Sequence, residues 1–252
     1  MLDPLNDGIS RIELLNYMGG DLDVVNDAKA SFRRVAESVG DREKGLINFL
    51  ISPIDEPQHT SPLRGTVLKF RVKAPLFICR QWWKSHIASC HSEEQDGWNE
   101  QSFRYVEIEK PEFYVPKEFR LQAKNNKQAS GEPLDEAGQA IARSLWIEAC
   151  HDSFGYYRKL IGLGVSRELA RAKLTPDIYT TWVWTTSLQS VLTLIDQREA
   201  HGAQSEFTAY TEAIKTLIQP VAPVAIAAWG RRKQVLREAM QLWREANKED
   251  AA

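Results

Sequence analysis

The sequence predicts a single α+β domain, with a mixed or antiparallel sheet flanked by helices and a helix-rich second half. Two observations favour this fold. Apolar and charged residues alternate over 66–73, which is typical of a half-buried strand. After about residue 134, apolar residues instead recur at helical spacing in several segments. Because we find no internal repeat and no clear linker, we treat residues 1–252 as one domain.

The first half of the chain is predicted to contain both strands and helices. Spacing and capping residues predict a strand over 11–18, a helix from its N-cap Asp21 to about Val39, a helix after Asp41, a strand over 66–73, and a helix with Pro75 in its first turn. Three prolines place residues 52–62 in a loop. The block after Ser89 has no periodicity, so we expect another loop there.

The second half is predicted to be mostly helical. Residues 122–133 are polar, and we expect a mobile excursion there. The first predicted helix starts at about Leu134, carries Ile141 and Leu145 on its apolar side, and ends at Gly162 and Gly164. A short helix capped by Ser166 follows. Two further helices cover 188–198 and 204–218, and a last amphipathic helix begins after Pro223. The aromatic and β-branched run at 177–186 predicts a strand, with its tryptophans in the core.

Composition excludes several classes of function. The formal net charge is -2 and no basic stripe is present, which argues against a nucleic-acid partner. No apolar run approaches membrane-spanning length, and the acidic, polar N-terminus is unlike a signal peptide. Three cysteines without paired spacing fit a reducing compartment, so we expect a cytoplasmic protein with no membrane partner. The histidines are too scattered to predict a metal site.

The segment Arg80–Tyr105 combines tryptophans with many charged and amide side chains. Such groups are costly to bury unless they are paired, and Trp82, Trp83 and Trp98 are unusual for plain surface. The mixture predicts a site for a ligand with a flat ring and an anionic end. Arg80 and Lys84 lie four residues apart on one predicted helix face, where an anion would relieve their repulsion; a solvated basic face is the alternative.

The end of this segment, Asn99–Tyr105, points to phosphate recognition. In an extended chain, Glu100, Ser102 and Arg104 would face one side. The planar fork of arginine suits phosphate, and a serine hydroxyl can complete the cradle. A surface ion pair between Glu100 and Arg104 is the alternative interpretation.

These motifs resemble the signature of flavin-dependent thymidylate synthases: an Arg-Gln-Trp run, then Arg-His-Arg, Xaa-Xaa-Ser, Xaa-Asn-Glu and Xaa-Ser-Xaa-Arg-Tyr. The matching segments are KAPLFICRQW (73–82), IAS (87–89) and NEQSFRY (99–105). Further similarity covers MGGDLDVVNDAKASF, HTSP, SRELARAKL, the aromatic strand and Asp196–Gln204, in the family's order.

The resemblance implies the fold of that family and a methyltransferase activity. The implied reaction is C5 methylation of a uridine monophosphate, dUMP or UMP. Methylenetetrahydrofolate would donate the carbon, NADPH would reduce FAD, and the reduced FAD would donate hydride. It also implies a homotetramer whose sites are shared between subunits.

The resemblance also assigns site residues by position. Those implied to hold the nucleotide are Gln81, Glu100, Ser102, Arg104, Arg171 (reaching into the site of another subunit) and Arg198. Arg198 and Ser102 are the implied catalytic residues, with Arg198 set against the pyrimidine to stabilise charge on the ring. Those implied to contact the cofactor are Ser61, Lys84, Ser85, His86, Ile87, Ser187 and Gln189.

The chain departs from the family pattern mainly at the cofactor positions. Lys84-Ser85-His86 replaces Arg-His-Arg, Arg64 replaces a glutamate after HTSP, and Ser187-Leu188-Gln189 replaces Asn-Xaa-Arg. The residues HSEEQDGW, about 91–98, are inserted between the halves of the signature. The nucleotide positions are intact.

Two alternatives follow from these departures. One is a specialised UMP methylase, as in nucleoside-antibiotic biosynthesis. The other is a non-catalytic nucleotide-binding relative that has lost flavin. Neither the thymidylate synthase nor the UMP methylase needs a covalent cysteine. Cys79 lies on an apolar helix side and is expected in the core, whereas Cys90 is the better candidate for a reactive thiol.

Overall fold

The computed structural model describes residues 1–52, 57–85, 97–124, 130–199 and 203–249. The strands in these ranges are β1 (Arg11–Met18), β2 (Val67–Pro75), β3 (Trp98–Glu100), β4 (Arg120–Gln122), β5 (Ser130–Pro133) and β6 (Tyr179–Ser187). The α-helices are α1 (Asp21–Lys29), α2 (Asp41–Ile51), α3 (Leu76–Ser85), α4 (Glu136–Gly162), α5 (Arg167–Ala170), α6 (Leu188–Arg198), α7 (Ser205–Ile218) and α8 (Pro223–Glu249). Short 3-10 helices cover Ala30–Phe32, Ser61–Arg64 and Arg171–Lys173.

Four strands form a sheet in the order β1-β2-β6-β3, and β4 and β5 form a two-stranded sheet. The pairs β3–β6 and β4–β5 are antiparallel, with Trp98 opposite Trp184 and Glu100 opposite Trp182. Helices make up most of the chain after β5. The predicted α+β class with a helix-rich second half is confirmed.

The chain forms two compact units. One comprises Met1–Glu13, Phe70–Trp184 and Leu194–Ala213, and the other Leu14–Lys69, Thr185–Thr193 and Ile214–Ala252. That residues 1–252 form a single domain stays a prediction. In the described residues, no helix has the length and apolar character needed to cross a membrane.

The first unit has an aromatic core. Phe70 and Val72 of β2 are fully buried, as their alternation predicts, and Trp182 and Trp184 of β6 are also buried, so their predicted place in the core is confirmed. Trp82 of α3 packs edge-on against both of these tryptophans, with ring centroids 5.3 and 5.4 Å away. This packing fixes α3 against β6.

The second unit contains a carboxylate shared by two helix starts. Asp21 is the first residue of α1, whose N-cap is Gly20, so the predicted capping role of Asp21 is wrong for its own helix. Its side chain instead accepts hydrogen bonds from Val224 N at 2.7 Å and Ala225 N at 2.9 Å, in the first turn of α8. The carboxylate therefore lies at the positive ends of two helices.

The prediction that α1 runs to about Val39 is also wrong, since it ends at Lys29. The side chain of Asn26 bonds the backbone of Ala36, accepting from its N–H at 2.7 Å and donating to its carbonyl at 3.2 Å. These bonds turn the chain back, and Phe32 and Val35 are exposed instead of forming a packed stripe.

Three other predicted boundaries differ. Pro75 ends β2 instead of starting a helix, and Trp98–Glu100 is a strand instead of a loop because it pairs with β6. The ends of the predicted excursion at 122–133 belong to the β4–β5 pair, while residues 125–129 lie outside the described ranges.

The long helix α4 ends at Gly162, followed by Gly164 with a φ of 83°, as predicted. A left-handed residue just after a helix is a common stop, and glycine tolerates it. The predicted apolar side of α4 is not buried throughout. Ile141 is 62% exposed and Leu145 60% exposed, so these side chains have no core to enter within the described chain.

Replacing Asp21 with alanine should lower the free energy of unfolding by about 1–2 kcal/mol, because the α8 N–H groups lose their acceptors. Burial raises the pKa of Asp21, so the ionised carboxylate already carries a desolvation cost. Asp21→Asn, which keeps one acceptor without the charge, should therefore cost less than Asp21→Ala. Urea unfolding measures both variants. Exposed Asp23 in the same turn gives the control, and equal effects of Asp21→Ala and Asp23→Ala would contradict the role.

Candidate active site

The C-terminal end of α3 carries three of the predicted site residues, Gln81, Lys84 and Ser85, next to the buried Trp82. The ring of Trp82 is fully buried and stacks on Phe207 of α7, with centroids 5.2 Å apart and planes 28° apart. Because large buried aromatic rings hold their elements firmly, the position of this end of α3 is set by the core.

Arg198, the last residue of α6, is bound to that end of α3. Its Nε donates to Ser85 Oγ at 3.0 Å, and its Nη2 donates to the same oxygen and to the carbonyl of Gln81 at 3.2 Å. Arginine often bonds the last carbonyls of a helix, where its charge is favourable. The guanidinium also lies over the ring of Phe207, with its central carbon 4.9 Å from the centroid.

The charge of Arg198 has no carboxylate partner in these contacts. Its partners among the described residues are a hydroxyl, a carbonyl and a phenyl ring. Burial lowers the pKa of the guanidinium below its ordinary value, because the charged form loses water. A ligand with negative charge at this point would offset that cost.

Gln81 is oriented by a residue to which the sequence assigned no role. Its Nε2 donates to Gln204 Oε1 at 2.5 Å. Gln204 precedes α7, the helix that also supplies Phe207. With one amide N–H used in this way, Gln81 keeps its second N–H as a donor and its amide oxygen as an acceptor.

Glu100 in β3 is exposed and accepts a hydrogen bond from the hydroxyl of Thr180 in β6, at 2.9 Å. The thiol of Cys79 lies near it. Burial first, and the Glu100 charge second, raise the pKa of Cys79 far above the range in which a thiolate forms. Cys79 is therefore a core residue, as predicted, whereas Cys90 lies outside the described residues.

Ser102 and Arg104 lie in a turn, so the predicted extended geometry is wrong. Tyr105 N donates to Ser102 O at 3.1 Å, which closes a four-residue turn. The hydroxyl of Ser102 accepts from Arg104 N at 3.3 Å. The turn brings the two residues together through the backbone instead of through strand alternation.

Arg104 pairs with Glu168 of α5 at 3.2 Å, and not with Glu100. The two side chains are 49% and 61% exposed, so the pair is weak and exchangeable. Arg167 also donates to the carbonyl of Tyr105 at 3.2 Å. These two contacts join α5 to the turn, and Arg171 follows directly after α5.

Several of the predicted cofactor residues lie in the second unit. Arg64 Nε donates to Gln189 Oε1 at 2.7 Å, and Gln189 Nε2 donates to the hydroxyl of Thr60 at 2.9 Å. Ser61, next to Thr60, is exposed. Arg64 is exposed too, so this cluster presents a cation to solvent.

Ser187 is buried and acts as the N-cap of α6. Its hydroxyl accepts from Ser190 N at 3.2 Å and lies 3.0 Å from the hydroxyl of Ser190. This is the usual bond between a capping serine and the third residue of a helix. In contrast, Lys84 in α3 is exposed, and His86 and Ile87 lie outside the described residues.

The sequence assigned no role to five residues of the site: Thr60, Glu168, Thr180, Gln204 and Phe207. Four of them are marked only by lying in resembling segments, which are HTSP, SRELARAKL, the aromatic strand and Asp196–Gln204. Phe207 looks like an ordinary apolar helix residue, and nothing in the sequence relates it to Arg198.

Comparison with known proteins identifies the family. The sequence model of the thymidylate synthase complementing protein family matches residues 13–224. A flavin-dependent thymidylate synthase of Thermus thermophilus is 38% identical over 219 residues, which cover 86% of this chain and 74% of that protein. The flavin-dependent thymidylate synthase of Anaplasma marginale is 32% identical over 220 residues, covering 86% and 71%.

The fold is also similar to a solved structure. The UMP/dUMP methylase PolB from Streptomyces cacaoi, bound with 5-Br UMP, superposes with a TM-score of 0.71 at 25% identity. The match covers 88% of this chain and 94% of that one. Since the family match extends over most of the chain, this protein belongs to the thymidylate synthase complementing protein family.

Proposed function

We propose that this protein is a methyltransferase that catalyses the flavin-dependent C5 methylation of a uridine monophosphate. The observation that carries the proposal is the guanidinium of Arg198, which is fixed beside Gln81 and has no carboxylate partner among the residues that the structure describes. The family match and the relatives at 38% and 32% identity support the reaction class. The similarity to a methylase bound with 5-Br UMP supports the substrate class.

The nucleotide would be held by Gln81, Glu100, Ser102 and Arg104, with Arg171 supplied by another subunit. Arg104 suits the phosphate, because the fork of its guanidinium matches phosphate oxygens. Its present partner Glu168 is exposed and can be displaced by a dianion. The Glu100 carboxylate is exposed and suits a sugar hydroxyl. Anchoring both ends of the nucleotide would fix the ring, and positioning of this kind supplies much of the rate enhancement of many enzymes.

Arg198 would face the pyrimidine. Attack from C5 builds negative charge on the ring, and a fixed cation in a dehydrated site stabilises such charge more strongly than water does. Ser102 would assist at the nucleotide, as the family position implies. No protein nucleophile is needed, which agrees with the buried, protonated thiol of Cys79.

The hydrogen-bonding groups of Arg64, Gln189 and Thr60 in the second unit suit a flavin cofactor. Arg64, Gln189 and Thr60 form one hydrogen-bonded chain with an exposed cation, a set suited to a phosphate-bearing cofactor. We propose that FAD is held by Ser61 and Gln189 here, and by Ser187, Lys84, His86 and Ile87 at the other implied positions. The hydroxyl of Ser85, the remaining implied position, is already bonded to Gln81 and Arg198 and does not bond FAD. Bound flavin supplies hydride chemistry. NADPH as reductant and methylenetetrahydrofolate as carbon donor complete the proposal.

The active form is proposed to be a homotetramer in the cytoplasm, with no nucleic-acid or membrane partner. Exposed apolar side chains on α4, which include Ile141, Leu145 and Tyr156, support burial of this helix in an assembly. Cys79 and Cys150 are free thiols, which is consistent with a reducing compartment.

The direct test of the function is a product assay with both nucleotides. The protein, FAD, NADPH and methylenetetrahydrofolate are incubated with dUMP or UMP, and the nucleotide is analysed by mass spectrometry. A methylated product supports the proposal, and the preferred nucleotide separates a thymidylate synthase from a specialised UMP methylase. Lack of product from both would contradict it.

The second candidate is a non-catalytic nucleotide-binding relative without flavin. The serine at position 85 favours it, because its hydroxyl is occupied by contacts within the protein. Flavin absorbance of the purified protein, or after reconstitution with FAD, decides between the two. A protein that binds dUMP and never binds FAD would favour this candidate.

Replacing Arg198 with alanine should abolish methyl transfer while flavin stays bound, because the variant loses charge stabilisation and no predicted flavin contact. Product formation and flavin absorbance are measured together. Arg143→Ala is the matched control, since Arg143 also lies over a phenyl ring, that of Phe119, and donates to two groups of the protein, the carbonyls of Pro116 and Lys117. Full activity of Arg198→Ala would rule out the role.

Replacing Glu168 with glutamine should strengthen binding of dUMP severalfold, since Arg104 would no longer need to leave a carboxylate. Equilibrium dialysis with dUMP measures the affinity. Glu118→Gln, which removes the exposed partner of Arg120, serves as the control and should change little. Weaker binding by Glu168→Gln would show that Glu168 supports the phosphate site instead of competing for it.

Light scattering of the purified protein should give the mass of an assembly of four chains, because the exposed α4 side chains are covered in the proposed homotetramer. Replacing Ile141 and Leu145 with aspartate should then break the assembly and abolish activity, because Arg171 would be lost from the neighbouring site. A monomeric wild-type protein with full activity would contradict the shared site.

A further inference from the structure

Ser85 is the last residue of α3 and is 4% exposed. It stands where the family signature has histidine, a position that the resemblance assigns to the cofactor. Its hydroxyl makes contacts of a different kind. It donates to the carbonyl of Gln81 at 2.9 Å and accepts from Nε of Arg198 at 3.0 Å. It accepts a further, short hydrogen bond from Nη2 of Arg198.

These contacts use the whole hydrogen-bonding capacity of the hydroxyl. A serine hydroxyl has one hydrogen to donate and two lone pairs to accept with. The hydrogen is used by Gln81, and both lone pairs are used by Arg198. Ser85 could therefore bond a ligand only by releasing one of these two residues.

We infer that Ser85 is a positioning residue that fixes the plane of the Arg198 guanidinium for the pyrimidine. This inference rests on the proposed function. The bonds from Nε and Nη2 to Ser85 Oγ fix one edge of the guanidinium. The bond from Nη2 to the Gln81 carbonyl fixes the direction in which the guanidinium points. The ring of Phe207 lies against its face. Without the serine oxygen, the edge that contains Nε has no acceptor among these groups.

A merely structural role is the competing explanation. Arg198 bonds a carbonyl in the last turn of α3, and the serine could serve only to stabilise that helix end. The two explanations differ in their consequences. A structural role predicts lower stability with normal turnover, whereas a positioning role predicts slower turnover in a protein that still folds and binds the nucleotide.

Three substitutions separate these explanations. Ser85→Ala removes the acceptor, Ser85→Cys keeps the volume with a weak acceptor, and Ser85→Thr keeps the hydroxyl. The control is Ser153→Ala. Ser153 is also a buried helical serine, and its hydroxyl donates to the carbonyl of Cys150 at 2.8 Å, three residues back in α4. All four variants are assayed as holoenzyme with dUMP and UMP, and melting temperature is recorded for each.

We expect Ser85→Ala and Ser85→Cys to lower kcat about 10- to 100-fold, since one bond to a charged group is lost and the cation is misplaced. The affinity for dUMP, measured by calorimetry without folate, should change by less than about threefold, because the transition state depends on Arg198 more than the ground state does. Ser85→Thr should recover most of the wild-type kcat, and Ser153→Ala should behave as wild type.

The outcomes distinguish this inference from the proposed function. If the wild-type protein methylates a nucleotide and Ser85→Ala turns over as fast as Ser153→Ala, the role of Ser85 is overturned and the function stands. If Ser85→Ala does not fold, Ser85→Cys and Ser85→Thr decide: equal kcat values for the two would overturn the role. Absence of product from the wild-type protein would overturn the function and this inference together.

Discussion

The candidate site depends on one interaction, the attachment of the Arg198 guanidinium to the last turn of α3. That turn is held in place by Trp82, whose ring packs on Trp182, Trp184 and Phe207. Phe207 contributes twice, since it also lies against the guanidinium. The aromatic core therefore sets both partners of the contact. Within the described part of the chain the cation has no carboxylate partner, a state that is costly unless a ligand completes it.

The departures from the family pattern become connected in the structure. Arg64 and Gln189, which replace a glutamate and an arginine, bond each other at 2.7 Å. Two of the departures therefore lie in direct contact with each other in this structure. Ser85, which replaces a histidine, bonds Arg198, a position that the chain retains. Each of these departures thus makes a side-chain hydrogen bond within the protein.

The sequence predicted local features well and distant contacts poorly. Alternation located β2, and the helix after Asp41 follows its apolar spacing. The end of α1 could not be predicted, because it depends on Asn26 binding a backbone ten residues away. The contact between Arg64 and Gln189 joins residues 125 apart, and no local pattern records it. The family signature supplied site positions for this reason: it carries information about long-range proximity that spacing does not.

The most direct test of the account is a crystal structure of the holoenzyme with a 5-halogenated uridine monophosphate. It measures the distance from the Arg198 guanidinium to the pyrimidine, and the number of bonds from Arg198 to Ser85. We predict a hydrogen-bonding contact between the guanidinium and the ring, at about 2.7–3.2 Å, with both bonds to the serine oxygen kept. A pyrimidine bound away from Arg198, or an Arg198 side chain that leaves Ser85 for another partner when the nucleotide binds, would contradict it.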